Sequence, residues 1–568
     1  MGRRNDTGGL SRHRKGAACS RPPQSDLLCG SRPLEGQGRG ELLPLANMFL
    51  EWEPPIRMAE EIDVALDCLR FEGAEKNGFS DQGFLLKEAQ SMKGVQSWTR
   101  REFLKVGAGW MGAGAGGTLL AASPAEFPSG PPPKHSPNNR LNLVLIGAGG
   151  RGRYLAAEAL RQGENIVALC DVDAGQLTSA RKFLSAQGEA GAQTAEKLRL
   201  YDDYRKLLDE AKLFDAVLVA TGARWHAPIS MAMMKAGKHV YCEKPLVRTL
   251  AEARQLAELA RSSPVATQTG TQGCSAWSTR RAIDVLRAGL LGPIREVYLW
   301  CDFYGPNPAS HSAPPGEDPI PAGLNWDFWL GPVPYRPYKS GLYHPGCLKF
   351  QNWLFMDNGM LAGQGAHTFP LAVLGLELGP PVRVETELPE PLQETYPSKA
   401  YFKFEFAARG DQPPVTLWWT DGGRYPPEEV TQDLKTGLGK VPQGGLLFRG
   451  EKGQLYAGGW SGEGILKLAG DKKWRGVLDH EAAKEVPPRL PRAPGDNHMA
   501  EWLQACRGGP KPLTCFETGA QIAEVFLPGI LALRLNRPIR WDAQHLRVPD
   551  APEADQWIQN NYRTKWLI

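Results

Sequence analysis

From residue 141 to residue 261, short apolar runs alternate with helical stretches. Leu141-Asn-Leu-Val-Leu-Ile146 reads as a buried strand and residues 153–160 as the helix after it. Strands follow at residues 166–170, 198–201, 216–220 and 239–242. Helical segments lie at 181–186, 204–211, 228–236 and 250–261, with Gly237 ending the third. Continuous apolar strands separated by helices predict a parallel, doubly wound sheet, whose ligand sits at the carboxyl ends of its strands. After residue 295 the pattern changes. Runs at 295–302, 382–387, 399–406, 415–420, 445–450 and 453–457 alternate with Pro/Gly loops. They predict a mostly antiparallel open sheet. The fold class is therefore α/β plus α+β, with a Rossmann domain over 140–265 and an α+β domain over 266–495. Residues 496–568 add an amphipathic helix (496–506), a second helix (518–533) and an aromatic tail that packs on the body.

The first 139 residues are different. Residues 1–91 lack periodicity and read as an extension that is disordered or falsely translated. Thr99-Arg100-Arg101-Glu102-Phe103-Leu104-Lys105, then a Gly/Ala-rich apolar run, resembles a twin-arginine export signal over 92–127, with translation expected to start at Met92. That run is too short and glycine-rich for a stable membrane span. Residues 128–139, rich in Pro, form a linker. The expected location is periplasmic or otherwise exported.

Charge and cysteine content narrow the partners. The formal net charge is only +4 over 568 residues, without a basic cluster interleaved with aromatics, which argues against nucleic acid. The ten cysteines show neither C-x-x-C spacing nor a metal-ligand pattern, so no metal is expected.

The chemistry gathers at the strand ends. Gly147, Gly149 and Gly152 form G-x-G-x-x-G between a strand and a helix, a turn that cradles a pyrophosphate at the helix N-terminus together with Gly150 and Arg151. Asp171, after the second strand, stands where a carboxylate accepts from a ribose 2′-OH. It favours NAD over NADP, and Arg151 keeps NADP open. Thr221, His226, Glu243 and Lys244 follow the next two apolar strands and are expected to contact the cofactor, and His226 reads equally well as a helix start.

Residues 147–152, Asp171, Ala220-Thr221 with Trp225-His226-Ala227-Pro228, and Glu243-Lys244-Pro245 resemble the Gfo/Idh/MocA oxidoreductases, which include glucose-fructose oxidoreductase and inositol dehydrogenase. The likeness runs on through residues 282–297, Asn325-Trp-Asp-Phe-Trp-Leu-Gly-Pro332 and Pro538-Ile-Arg-Trp-Asp542. It implies that Lys244 lies beside the nicotinamide and contacts a substrate hydroxyl, and that His367 is the general acid/base. The acidic positions that flank this histidine in the family are Gly363 and Pro370 here. Asp357 is the carboxylate nearby in sequence. Trp326, Trp329, Tyr335, Tyr338, Tyr343, His344 and Trp353, with Arg336 and Lys349, would suit a sugar ring; Trp326 and Trp329 read equally well as core.

The expected activity is hydride transfer between a sugar, polyol or glycoside carbinol and a tightly held nicotinamide, in a homo-oligomer (dimer or tetramer) assembled through the sheet domain. Two alternatives stand beside it. One is glycoside hydrolysis by transient oxidation and elimination, as in NAD-dependent α-N-acetylgalactosaminidases. The other is a non-catalytic sugar- or nucleotide-binding relative.

Overall fold

The computed structural model describes residues 139–563, apart from 306, 345 and 560. The expected extension and export signal lie outside these residues.

Its first sheet is six-stranded and parallel, in the order β3-β2-β1-β4-β5-β6. The strands are β1 (Asn142–Ile146), β2 (Asn165–Cys170), β3 (Arg199–Tyr201), β4 (Ala216–Val219), β5 (His239–Cys242) and β6 (Thr267–Thr269). Between them run α1 (Gly150–Arg161), α2 (Ala174–Ser185), α3 (Gly188–Lys197), α4 (Arg205–Asp209), α5 (Ala223–Lys235) and α6 (Leu250–Ser262). The sheet thus continues past residue 265. Successive side chains of each strand serve opposite faces. Leu143, Leu145 and Leu218 pack with Leu155, Leu177 and Leu184 of α1 and α2. Val144, Ile146, Val217 and Val219 pack with Ile229, Met233, Leu250 and Leu256 of α5 and α6. Two apolar faces per strand explain the unbroken apolar runs.

Two helices differ from the sequence reading. α3 is rich in small and polar residues and buries only Gly191 and Ala195, so its periodicity is faint. α5 begins at Ala223, and Pro228, which reads as a helix start, lies inside it.

After α7 (Trp277–Arg287) the chain enters a nine-stranded, mostly antiparallel sheet, in the order β14-β13-β12-β11-β7-β10-β9-β8-β15. These strands are β7 (Ile294–Cys301), β8 (Arg383–Thr386), β9 (Tyr401–Phe406), β10 (Val415–Asp421), β11 (Gly444–Gly450), β12 (Gly453–Ala457), β13 (Ile465–Leu468), β14 (Arg475–Gly476) and β15 (Ile539–Arg540). β7 and β10 form its parallel pair. One face shares the large core with α8 (Gly365–Gly375) and α11 (Phe516–Leu535), while Tyr298 and Trp300 face α9 (Glu428–Leu438). Met499 and Trp502 of α10 (His498–Cys506) return to the first sheet, and α11 packs on α6. Among the described residues α11 is the helix long and apolar enough to cross a membrane, and 78% of that stretch is buried, as suits a core helix.

The aromatic loop after β7 makes a small core of its own. Trp326 is 2% exposed, stacks on Trp329 at 4.8 Å, meets Tyr338 edge-on at 5.1 Å and donates from Nε1 to the Arg336 carbonyl. Tyr338, Tyr343 and Trp353 are buried with it, and Arg336 pairs with Glu394. For Trp326 the core reading holds, and Tyr338, Tyr343 and Trp353 are buried in the same small core. Trp326→Ala is expected to cost about 3–5 kcal/mol, as for other buried aromatics. Denaturant unfolding checks this, and a change below 1 kcal/mol would contradict it.

Candidate functional site

The glycine-rich turn is shaped by two close approaches. Gly147 adopts φ +94°, and a Cβ there would lie 2.5 Å from the Ala220 carbonyl oxygen at the end of β4. A Cβ on Gly152 would lie 1.9 Å from the Gly147 carbonyl oxygen, so only glycine lets α1 seat against β1. Gly150 is unlike these: nothing lies within 4 Å of its Cβ position, and Gly149 meets only Gln176 Oε1, at 3.6 Å. Open space above these two glycines, next to first-turn amides that lack intrahelical acceptors, fits the pyrophosphate of a dinucleotide.

Asp171 closes the other side of the turn. Its Oδ2 accepts the Ala148 N–H at 2.7 Å and its Oδ1 the Asp173 N–H at 3.0 Å. Burial pushes its carboxyl up to about 6, although both amides oppose the shift. Asp173 caps α2 and contacts His344 Nε2 at 3.1 Å, which brings the aromatic loop to the end of β2. Arg151 lies elsewhere. Its Nε donates to Glu243 Oε1 at 2.9 Å, so it is committed to the β5 side rather than to Asp171. A raised carboxyl keeps its proton in the fold as the pH falls, and a protonated carboxyl is a poorer hydroxyl acceptor. NAD affinity is therefore expected to weaken as the pH drops from 7 through about 6 to 5. Fluorescence titration of NAD checks this. Asp171→Asn should bind less tightly and lose the pH dependence; an identical profile in that variant would refute the assignment.

His226 lies between the ends of β4 and β5. This ring is 1% exposed, with Nδ1 2.7 Å from the Pro245 carbonyl and Nε2 2.9 Å from the Thr221 carbonyl. Burial lowers its pKa despite both carbonyls. The neutral ring has one N–H, so it donates to one of these carbonyls and only abuts the other, enclosed between the Thr221 turn and the Lys244–Pro245 turn. Thr221 offers Oγ1, bonded at 3.3 Å to the Gly222 carbonyl.

Glu243 sits beneath this turn. Besides Arg151 it receives Gln272 Nε2 at 3.1 Å. Burial alone would raise its carboxyl, but the charges of Arg151 and Lys244 outweigh that and hold it below the usual range. Gln272 also reaches the Tyr241 hydroxyl, and no sequence motif singled it out.

Lys244 Nζ crosses to the second half of the chain and donates to the Gly363 carbonyl at 3.0 Å. Gly363 ends the short helix Gly359–Gly363, and α8 begins at Gly365. His367 is in the first turn of α8. It is 5% exposed, its Nδ1 has no hydrogen-bond partner among the described residues, and its carbonyl accepts from Ser461 Oγ. Burial, then the positive charges of Lys244 and Arg151, drive its pKa well below the ordinary value. The helix break at Gln364 and the Gln351 side chain, 2.7 Å from a Cβ on Gly363, take up the room of the expected acidic partner. Besides Glu243, Asp357 lies within the field of Lys244. Burial raises it to about 6 against the Asn358 amide, Arg224, Arg248 and Lys244.

Arg224 was not anticipated. It is 2% exposed in the first turn of α5, with Nε and Nη2 on the Trp329 carbonyl at 3.0 and 2.8 Å, its guanidinium over the Trp329 ring at 4.1 Å, and Nη1 without a partner among the described residues. Burial lowers it to about 10. A cation in the first turn runs against the helix dipole, and that was the available signal.

Comparison with known proteins agrees with the architecture. Residues 141–271 match the NAD-binding Rossmann fold of the Gfo/Idh/MocA oxidoreductase family, and residues 312–408 match that family's C-terminal alpha/beta domain. The chain is 31% identical over 198 residues to a glycosyl hydrolase family 109 protein of Solibacter usitatus, covering 34% of this chain and 44% of that one. It is 28% identical over 168 residues to an alpha-N-acetylgalactosaminidase of Bacteroides fragilis, covering 29% and 38%. These matches span less than half the length of either relative. Similar solved structures include a levoglucosan dehydrogenase with NADH and levoglucosan (17% identity, TM-score 0.46, 71% of this chain and 100% of that one). An inositol dehydrogenase homologue from Azotobacter vinelandii with NADH and myo-inositol is similar too (18%, TM-score 0.46, 71% and 98%). Residues 141–271 thus form an NAD-binding Rossmann domain, followed by a segment similar to the C-terminal domain of that family.

Proposed function

We propose that this chain is an exported, NAD-dependent oxidoreductase of sugar, polyol or glycoside carbinols that keeps its nucleotide through the catalytic cycle. The observation that carries the reading is the Lys244 Nζ bond to the Gly363 carbonyl, which joins the carboxyl end of β5 to the segment bearing His367. The turn at residues 147–152 and Asp171 would hold the nucleotide, whose nicotinamide when bound would supply the hydride acceptor. Lys244 orients the substrate hydroxyl. His367, neutral because burial and neighbouring cations depress it, takes the hydroxyl proton. Arg151 and Glu243 brace the turn, and His226 packs against it. Export of an already folded protein by the twin-arginine route accounts for a nucleotide-bearing enzyme outside the cytoplasm, and assembly through the nine-stranded sheet completes the reading.

A second reading is net glycoside hydrolysis, in which hydride is taken and returned within one cycle. It is favoured by the relatives named glycosyl hydrolase family 109 and alpha-N-acetylgalactosaminidase. Denaturing the natively purified protein and weighing the released nucleotide tests the shared premise. One equivalent of NAD(H) is expected, and NADP(H) or none would overturn it. Release of nitrophenol from a nitrophenyl glycoside without added NAD selects hydrolysis; net NADH formation with a free sugar selects the dehydrogenase.

A further inference from the structure

Behind the catalytic turn the chain passes through Arg248 and Thr249 into α6. There a cavity of about 400 Å3, its open mouth included, lies between Arg248, Asn358, Arg534, Gln556, Trp557 and Gln559. The residues of the phosphate-binding turn do not reach it. Two guanidinium groups face this space, and no carboxylate is among its lining residues. Among the described residues the Arg248 guanidinium makes no hydrogen bond or ion pair, and its Nε is buried without a partner. Arg534 donates from Nη2 to the Leu354 carbonyl and lies over the Trp557 ring at 5.4 Å, while its Nε is also buried and unpartnered.

Among the described residues no acid forms an ion pair with either guanidinium. Glu252 spends Oε2 on the amides of Arg248 and Thr249, at 2.6 and 3.2 Å, and Oε1 on the Tyr562 hydroxyl at 2.6 Å. Asp357 lies within the field of Arg248 but forms no ion pair with it. Burial and the like charge of Arg248 both lower the Arg534 pKa. Two cations with unsatisfied donors, held around one small space, are the arrangement an oxyanion relieves, because each guanidinium offers a planar fork of N–H groups matched to paired oxygens.

We propose that the Arg248–Arg534 cavity is a binding site for a small tetrahedral oxyanion, distinct from the nucleotide site. The Arg248 fork takes one pair of oxygens and the Arg534 guanidinium the other. The site abuts the catalytic segment, since Asn358, which lines the cavity beside Asp357, donates from Nδ2 to the Arg248 carbonyl at 2.8 Å.

The test titrates inorganic phosphate calorimetrically into protein saturated with NAD, so that the phosphate-binding turn is covered, against chloride at equal ionic strength. One saturable equivalent is expected, with sulfate competing. Arg248→Gln and Arg534→Gln should each weaken phosphate at least tenfold while the NAD content stays unchanged. Should Arg534→Gln lose its fold through the bond to Leu354, Arg248→Gln decides alone, since that guanidinium makes no hydrogen bond or ion pair among the described residues. No heat beyond chloride in the native protein, or unchanged phosphate affinity in Arg248→Gln, would overturn the site.

Discussion

Lys244→Ala is expected to lower turnover by roughly 10²-fold, the usual loss when the group that positions a reacting hydroxyl is removed, while the protein still purifies with one equivalent of nucleotide. The two halves of this result have separate causes. On the proposed reading the nucleotide is held by the turn at residues 147–152 and by Asp171, neither of which depends on the lysine side chain. Nζ instead spans to the Gly363 carbonyl, so its removal strips the cleft of the cation that would meet a substrate hydroxyl. Lys244→Arg should fail to rescue, because the guanidinium fork does not fit where one ammonium bonds one carbonyl. Single-turnover reduction of the bound nucleotide separates the chemical step from binding. Turnover within threefold of the native rate would remove Lys244 from the reaction, and loss of nucleotide would make it a binding residue instead.

Gly152→Ala is the second large effect. The added methyl would stand 1.9 Å from the Gly147 carbonyl oxygen and 3.3 Å from Leu145 Cδ1, and the first of these is backbone that has to move. Either α1 lifts from β1 or the turn opens, and both displace the amides that face the pyrophosphate. Nucleotide occupancy should fall more than tenfold, and overpacking of this kind costs about 1–3 kcal/mol or more in stability. Gly150→Ala is the matched comparison. It has open space around its Cβ and lies in the first turn of α1. It should retain the melting temperature, or raise it by the usual glycine-to-alanine gain, yet lose nucleotide if the open space above it is where phosphate lies. Equal nucleotide content in both variants and in the native protein, measured by absorbance after denaturation, would refute the placement of the pyrophosphate.

The first half of the fold was legible because each strand of the parallel sheet is buried on both faces, which writes an uninterrupted apolar run. β1 and β5 fall within a residue of where those runs lie. α3 and the real start of α5 were not legible. The first buries almost nothing, and the second is stabilised by residues such as Trp225 and Arg224, whose partners Phe328 and Trp329 come from a loop a hundred positions away. In the second half the strands β13, β14 and β15 are too short to show a period, yet β15 pairs with β8 across more than a hundred and fifty residues of chain.

Sequence by itself determined the glycine-rich strand-to-helix turn, the carboxylate at the end of β2 and the lysine after β5, because these depend on local features: a glycine spacing, a strand end, a fixed turn. Only the tertiary structure decided what the polar side chains around them do. It enclosed His226 between two carbonyls, gave Arg151 to Glu243, buried Arg224 on Trp329, and set Gln351 against Gly363 in the place of a carboxylate. Burial and charge at a strand end are sums over groups from distant segments, and no stretch of sequence contains that sum.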